Sequence, residues 1–453
     1  MTQMSEAITR YHKLIQTEPF RDMGWAQELK DKMLAANLRE GASPLCPFLR
    51  PHFLARRQYT ALAKAAESLC ASIDRVLQMA LANPALLGRM GLLPAEKMLA
   101  SVDPGYSYLT VTSLLDTFMN GGGSPHFVGH HSDSAPTLAY SAALADLFYD
   151  CPPIKQFRRQ YSLAKLGGTK QLVSAIAAAY KQFGGKRKPR VGVLEFRQAF
   201  QTAEGADYWL LKELLLSLGL EAEIVSPDAL EYRNGILRQG NFAMDVVFRR
   251  VKVHDFLLRF DLTHPLVRAY RDRAVCVVNS FRSELAQKRT IFALLTDEAL
   301  TAGFPAAEKR VIQEYVPWTR VFAPGETKYG DKTVDLPEFA LRNRERLVLK
   351  PNDSGGEEHA LQGWNTDASR WERALKQAAR TPMVVQERVA SEKVVFPLLR
   401  DDTLEMRELQ VDVHPHACLG KVQGCSTWLS DVTNGGFSSV AGLAPTYILD
   451  PRS

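Results

Sequence analysis

The pattern of hydrophobic and polar positions changes along the chain. Residues 61–82 are rich in Ala, Leu and Met, with no Pro or Gly before Asn83 and Pro84, which predicts a long helix in a helical N-terminal region. Further on, short apolar runs typical of strands alternate with helical segments such as 208–218. These strands are predicted at 191–196, 222–225, 245–251 and 274–279. The alternation favours an open α/β unit in this part of the chain.

The flanking regions have a different pattern. Residues 106–118 predict a strand, and a Gly-rich turn at 120–124 leads into a second strand and then an amphipathic helix. Strands are also predicted at 347–349, 383–389, 409–413 and 421–429, with a helix at 367–379. The predicted domains are residues 1–100, 101–180, 188–285 and 286–453.

Composition excludes several classes of protein. The chain has 453 residues, 46% of them hydrophobic, enough for the cores of several domains. Its net charge of +6 suits anionic small ligands. The basic run 181–190 has no interleaved aromatic residues, so it predicts a solvated linker rather than a nucleic-acid site. Without a signal-like N-terminus or an 18-residue apolar run, we expect a cytoplasmic protein with no membrane partner.

The six cysteines include no CxxC pair, which argues against a disulfide framework or a zinc site. We expect Cys418 and Cys425 to be core residues.

Lys350 is the first candidate for chemistry. It ends a short apolar strand and is followed by a loop containing Gly355 and Gly356. An ammonium group and close-approaching Gly N–H groups suit a phosphate, although most such loops are only turns. The strand at 384–389, which turns polar at its end, and a second Gly turn at 431–436 strengthen the case. Together they predict a nucleotide held between two small α+β lobes.

Several segments resemble those of one family: 232–251, 263–289, 316–321, 344–353, 384–389 and 432–437. Over roughly residues 45–450 the chain is similar to circularly permuted ATP-grasp proteins, the group that includes glutathionylspermidine synthase-like ligases. The resemblance implies a circularly permuted ATP-grasp fold of α/β (α+β) class, with a pre-ATP-grasp-like α/β domain. It also implies ATP and Mg²⁺ as cofactors.

By this resemblance Lys350 and Arg289 are the catalytic cations. The residues implied to bind the nucleotide are Lys288, Lys350, Asn352, Ser354, Gly355, Gly356, Gln386, Glu387, Arg388, Val389, Asn434 and Gly435. The α/β domain would bind an acid or amine substrate through Arg249, Arg250 and Arg282.

The segment that resembles the family's metal site implies Asp116, His131 and Asp133 as ligands. It departs from the family pattern, because Gly129 and His131 replace a glutamate and an asparagine. Imidazole is a poor ligand for Mg²⁺. Two hypotheses remain, a degenerate Mg²⁺ site and a rebuilt transition-metal site that includes His130. Because His130 and His131 would point to opposite faces of a strand, the first is favoured.

The function implied is an ATP-dependent carboxylate–amine ligase that forms an amide through an acyl phosphate from a small-molecule acid and amine. The alternative is a catalytically inactive descendant that binds a nucleotide or a partner. This alternative is favoured by the departures at Gly129 and His131, by the acids Glu357 and Glu358 after the glycines, and by Trp428 where the family has Arg.

Two further segments carry predictions. Residues 414–416 predict a solvated turn rather than a metal site, and residues 279–289 predict an exposed loop and helix start with cations facing a pocket. The oligomeric state stays open.

Overall fold

The structure is a computed structural model that describes residues 3–120, 123–132, 136–196, 207–353, 360–400, 403–431 and 440–451. Its α-helices are α1 (Gln3–Ile15), α2 (Gly24–Ala35), α3 (Arg56–Ala82), α4 (Pro84–Gly88), α5 (Pro94–Ser101), α6 (Pro136–Asp150), α7 (Pro152–Phe157), α8 (Thr169–Phe183), α9 (Asp207–Ser217), α10 (Val253–Leu257), α11 (Pro265–Arg271), α12 (Glu284–Gln287), α13 (Thr290–Leu295), α14 (Glu298–Thr301), α15 (Ala306–Tyr315), α16 (Leu336–Arg342) and α17 (Ala368–Ala378).

Its strands are β1 (Arg39–Glu40), β2 (Ser43–Pro44), β3 (His52–Ala55), β4 (Thr112–Met119), β5 (Pro125–His131), β6 (Tyr161–Lys165), β7 (Arg190–Leu194), β8 (Glu221–Val225), β9 (Glu231–Arg233), β10 (Ile236–Gln239), β11 (Phe242–Ala243), β12 (Val246–Arg249), β13 (Cys276–Val278), β14 (Thr319–Val321), β15 (Glu326–Tyr329), β16 (Lys332–Asp335), β17 (Leu347–Pro351), β18 (Leu361–Gln362), β19 (Met383–Glu387), β20 (Lys393–Arg400), β21 (Thr403–Cys418), β22 (Lys421–Ser430), β23 (Ala441–Ala444) and β24 (Thr446–Pro451).

A parallel sheet forms the α/β unit in the middle of the chain. Its strand order is β13-β12-β7-β8, and every pairing is parallel. Both faces of the sheet are buried, because Val191 and Val193 belong to one hydrophobic cluster whereas Val247 and Val277 belong to another. The four strands predicted here are confirmed. Near-continuous apolar runs are what a sheet covered on both faces requires.

The largest sheet is antiparallel and joins two distant parts of the chain. The order is β23-β22-β21-β4-β5, and β20 also pairs with β21. The hairpin of β4 and β5 lies against β21, about 300 residues later in the sequence. The sheet packs on α3, whose long apolar side supplies Leu69 and Leu77 to the main core. Cys418 and Cys425 are buried and free, so their predicted core position is confirmed.

A smaller sheet, β14-β19-β17-β18, is antiparallel and carries Lys350. One face packs on α16 and α17, where Trp371 is fully buried among Leu347, Leu349 and Val385. The opposite face is therefore the one available to a ligand.

Two sequence predictions are wrong. Residues 279–289 are almost wholly buried, and the Asn279 side chain hydrogen-bonds to the distant backbone of Val111 and Thr112. Residues 414–416 lie inside the long strand β21, where His416 is 1% exposed. The helices of the described residues include none that is both long and apolar enough to cross a membrane.

Candidate functional site

The site begins with the pleat of β17 and β19. Lys350 pairs with Val384 and Val348 with Gln386, so Lys350 and Gln386 share the face that points away from the Trp371 core. The Lys350 ammonium donates to the Gln386 Oε1 atom at 2.9 Å. Gln386 is 2% exposed and in turn donates to the hydroxyl of Thr319 at 3.0 Å. This chain of hydrogen bonds fixes Lys350 above the sheet.

A cleft of about 840 Å³ lies where β19 ends. Residues 387–390 form one wall, and the hairpin of β4 and β5 contributes Asn120 and His126 to another. Apolar side chains such as Leu295, Ile312 and Val316 line the cleft beside polar ones. This size and mixture are typical of a small-molecule site. Glu387, Arg388 and Val389, predicted to bind the nucleotide, all line it.

The Glu387 side chain has partners within the protein. Its Oε1 atom accepts hydrogen bonds from the Tyr329 hydroxyl at 2.8 Å and from Arg346 at 2.9 Å. Glu387 lies on the opposite face of β19 from Gln386, and its bond to Tyr329 fastens the hairpin of β15 and β16 to the end of the strand. Arg388 stacks on Trp364, with its guanidinium carbon 4.4 Å from the ring centroid.

Lys288 is a buried ion-pair centre. Its side chain is 1% exposed, and its ammonium lies 2.8 Å from Glu96 and 3.7 Å from Glu284, with Asp353 also in contact. Burial alone would lower the pKa of Lys288, but the carboxylates of Glu284, Asp353 and Glu96 raise it overall. This contact ties the residues that follow Lys350 to α5 of the N-terminal region.

The same place brings together the only potential metal-ligand group found among the described residues. Carboxylate and imidazole atoms of Glu96, His254 and Asp353 lie within 4.8 Å of one another. The Lys288 ammonium already bonds to both of these carboxylates. The cluster therefore already contains an internal cation, which offsets part of its negative charge.

Asn352 and Arg289 connect β17 to α13. The Asn352 Oδ1 atom accepts from the backbone and hydroxyl of Thr290, and its Nδ2 atom donates to the Met90 carbonyl at 2.9 Å. Arg289 donates to the Pro351 carbonyl, also at 2.9 Å. Arg289 is thus brought to the residue next to Lys350. Contacts of these two residues with a nucleotide stay predictions.

The proposed metal ligand Asp116 lies on β4, and two imidazoles hold it. The His131 Nε2 atom is 2.8 Å from its Oδ2 atom, and the His414 Nδ1 atom is 3.4 Å from its Oδ1 atom. Burial by itself raises the pKa of Asp116, but the two histidines lower it well below its ordinary value. His130 points to the other side of β5, where its Nδ1 atom lies 3.1 Å from the Ala286 carbonyl.

Gly129 shows that these residues do not fit Mg²⁺ held in the manner of the family. A Cβ atom at position 129 would lie 2.3 Å from the Asp116 Oδ2 atom, so the Asp116 carboxylate fills space that a side chain there would need. Mg²⁺ prefers oxygen ligands in near-octahedral geometry, whereas this carboxylate is flanked by nitrogen.

The three arginines predicted to bind substrate do not converge on one point. Arg249 is 2% exposed and donates to the carbonyls of Asn279 and Val251. Arg250 pairs with Glu195 at 3.5 Å, and Arg282 donates to the Ala100 carbonyl at the end of α5. Their predicted substrate contacts stay predictions.

Some predicted residues lie outside the described ranges. They are Asp133, Ser354, Gly355, Gly356, Glu357, Glu358, Asn434 and Gly435. Sequence reasoning also missed His414 as a partner of Asp116, because its neighbour Pro415 suggested a turn. The alternation of His414 and His416 on one face of a strand was the available signal.

No protein-family model and no curated protein matches the chain. Among solved structures, a glutathione synthetase-like effector from Globodera pallida, in its apo form, is similar with a TM-score of 0.58. It is 13% identical, and the match covers 96% of this chain and 98% of the other. A candidate gamma-glutamylcysteine synthetase from Methylobacillus flagellatus KT matches with a TM-score of 0.44, 10% identity and 85% coverage of each chain. The chain therefore has a mixed α/β, glutathione synthetase-like fold, and the predicted fold class is confirmed.

Proposed function

We propose that the protein is an ATP-dependent carboxylate–amine ligase that binds ATP in the cleft beside residues 387–390. The observation that supports this best is the placement of Lys350 and Gln386. Paired strands β17 and β19 hold these side chains on the sheet face opposite the Trp371 core, and β19, which carries Gln386, runs into the cleft. A positioned ammonium group stabilises the charge of a transferring phosphoryl group.

The cleft fits the remainder of a nucleotide. Apolar walls around Leu295 and Val316 suit a purine ring, and the backbone groups of residues 388–390 suit its polar edge. Arg289, beside the carbonyl of Pro351, supplies a second cation near the end of β17. These residues would orient the nucleotide and neutralise its charge.

In the proposed reaction a substrate carboxylate attacks the γ-phosphorus of ATP, and ADP leaves. The resulting acyl phosphate is attacked by an amine, which loses a proton, and inorganic phosphate leaves as the amide forms. Protein groups position and neutralise the reactants, so no covalent protein intermediate is required.

A second candidate is a nucleotide-binding protein without ligase activity. The two histidine contacts of Asp116 favour this candidate, because a carboxylate held by His131 and His414 is not arranged as a Mg²⁺ ligand. Both candidates share the nucleotide site and differ in turnover.

The test begins with nucleotide binding, measured as the change in melting temperature on adding ATP or ADP. We expect both to stabilise the wild type and K350A to lose this stabilisation. The control K332A changes an exposed lysine of the β15–β16 hairpin and should respond like the wild type. Equal stabilisation of K350A and K332A would remove Lys350 from the site.

Turnover then separates the candidates. Release of phosphate that depends on a mixture of amino acids and amines would support the ligase, and its absence in a protein that binds ATP would support the binding protein. If neither ATP nor ADP binds, both candidates are wrong.

A further inference from the structure

A second, smaller cavity of about 100 Å³ lies on the other side of the β4–β5 hairpin from the cleft. The hairpin contributes Met119 and Gly123 to this cavity, whereas Asn120 and His126 line the cleft. Arg50, His52 and Glu392 are the ionisable residues of its lining, beside apolar side chains such as Ile8. The cavity is separate from the face that carries Lys350.

Arg50 is a buried cation for which the described part of the chain provides no counter-ion. It is 1% exposed, and its guanidinium carbon lies 3.8 Å from the centroid of the Phe396 ring. Its Nη1 and Nη2 atoms donate to the carbonyls of Pro51 and Val395, but its buried Nε atom has no hydrogen-bond partner. Across the described ranges, no carboxylate forms an ion pair with it within 4.0 Å.

His12 and His52 add no negative charge near Arg50. Burial lowers the pKa of Arg50 to about 9. Burial, and then the charge of Arg50, lower the pKa of His52 to about 3 and that of His12 to about 4, so both imidazoles are neutral near pH 7. Each also has a buried Nε2 atom without a partner. A buried charge is costly unless something pairs with it.

We propose that this cavity binds a small oxyanion, either a carboxylate or a phosphate group, that pairs with Arg50. A buried guanidinium beside a void recognises such a group by its planar donors and its charge. The void holds a group of a few heavy atoms and not a nucleotide. The proposal does not depend on nucleotide binding in the cleft.

Glu392 limits the affinity of this site. Its carboxyl lines the same cavity, and burial raises its pKa, because a desolvated carboxylate is disfavoured. In its charged form Glu392 repels an anion near Arg50. Replacing it with glutamine removes the charge and keeps the shape.

The experiment measures the change in melting temperature of the full chain on adding sodium acetate or sodium phosphate, with sodium chloride at equal ionic strength as the reference. We expect a specific stabilisation by at least one of the two probes. Stabilisation by acetate alone assigns a carboxylate ligand, and stabilisation by phosphate alone assigns a phosphate ligand.

Variants then locate the effect. R50M should weaken apparent affinity by about tenfold or more, whereas R57M, an exposed neighbour, should leave it unchanged. E392Q should tighten it by about threefold or more, which tests the site even if R50M fails to fold. The proposal is overturned if neither probe exceeds chloride, or if E392Q binds no more tightly than the wild type.

Discussion

The His131 Nε2 atom lies 2.8 Å from the Asp116 Oδ2 atom, and this contact occupies the position where the sequence predicted a metal. His414 holds the other oxygen from β21, a strand remote in the sequence. The carboxylate is therefore already paired before any cation arrives.

The first prediction concerns Mg²⁺. We expect wild-type stabilisation by ATP to be the same in EDTA as in millimolar Mg²⁺, because Asp116 is held by imidazoles. The double variant G129E/H131N adds a carboxylate and removes one of the two imidazoles from Asp116, whose side chain must shift to make room for residue 129, so its stabilisation should become dependent on Mg²⁺. Thermal shifts measured with and without the metal check this. If stabilisation of the wild type by ATP strictly required Mg²⁺, the prediction would be wrong, because the metal would then displace the histidines from Asp116.

The second prediction concerns the buried ammonium of Lys288. K288M leaves Glu96, Glu284 and Asp353 without their cation, so the free energy of unfolding should fall by about 3–5 kcal/mol. Urea denaturation measures it. The control K376M removes an exposed pair with Glu372 and should leave the free energy of unfolding nearly unchanged. Equal effects of the two variants would contradict the structural role of Lys288.

The third prediction separates structure from substrate binding at Arg249. Its guanidinium donates to the carbonyls of Asn279 and Val251 and to the hydroxyl of Ser283. R249M should lower the free energy of unfolding by about 3 kcal/mol, because buried acceptors lose their donors. R233M, on an exposed strand, should change it by about 0.5 kcal/mol or less. A fully stable R249M would contradict this structural role and would leave substrate binding as the role to test for Arg249.

The fourth prediction concerns the loss of folding stability at low pH. Burial lowers the pKa of His416 to about 3, while in the unfolded chain it is near 6.5. Below pH 6.5 the unfolded state takes up a proton that the native state excludes, so stability falls as pH falls. His416 should account for about 2 kcal/mol of the loss between pH 7 and pH 5.

Urea denaturation at both pH values measures this loss. In H416Q the loss should be smaller by about that amount. S426A removes only the partner 3.0 Å from the imidazole, so it should keep the acid sensitivity of the wild type. An unchanged pH dependence in H416Q would contradict the prediction.

Elements that depend on local sequence patterns were predictable, whereas contacts between distant segments were not. The strands of the parallel sheet were predictable, since Val191, Val247 and Val277 belong to local apolar runs. The burial of Asn279 was not, because its amide is satisfied by Thr112, which lies 167 positions earlier in the chain. The place of His414 was likewise hidden, because Pro415 suggests a turn unless the neighbouring strands are known.

Strand β24 lies between β3 and β6 and pairs in parallel with β3. Residue 55 therefore has to wait until its partner, residue 449, has been synthesised before this sheet can form. At typical rates of translation that interval is about 20–80 s. Throughout it the edge of β3 is unpaired, so newly made chains should depend on chaperones more than the composition of the finished protein suggests.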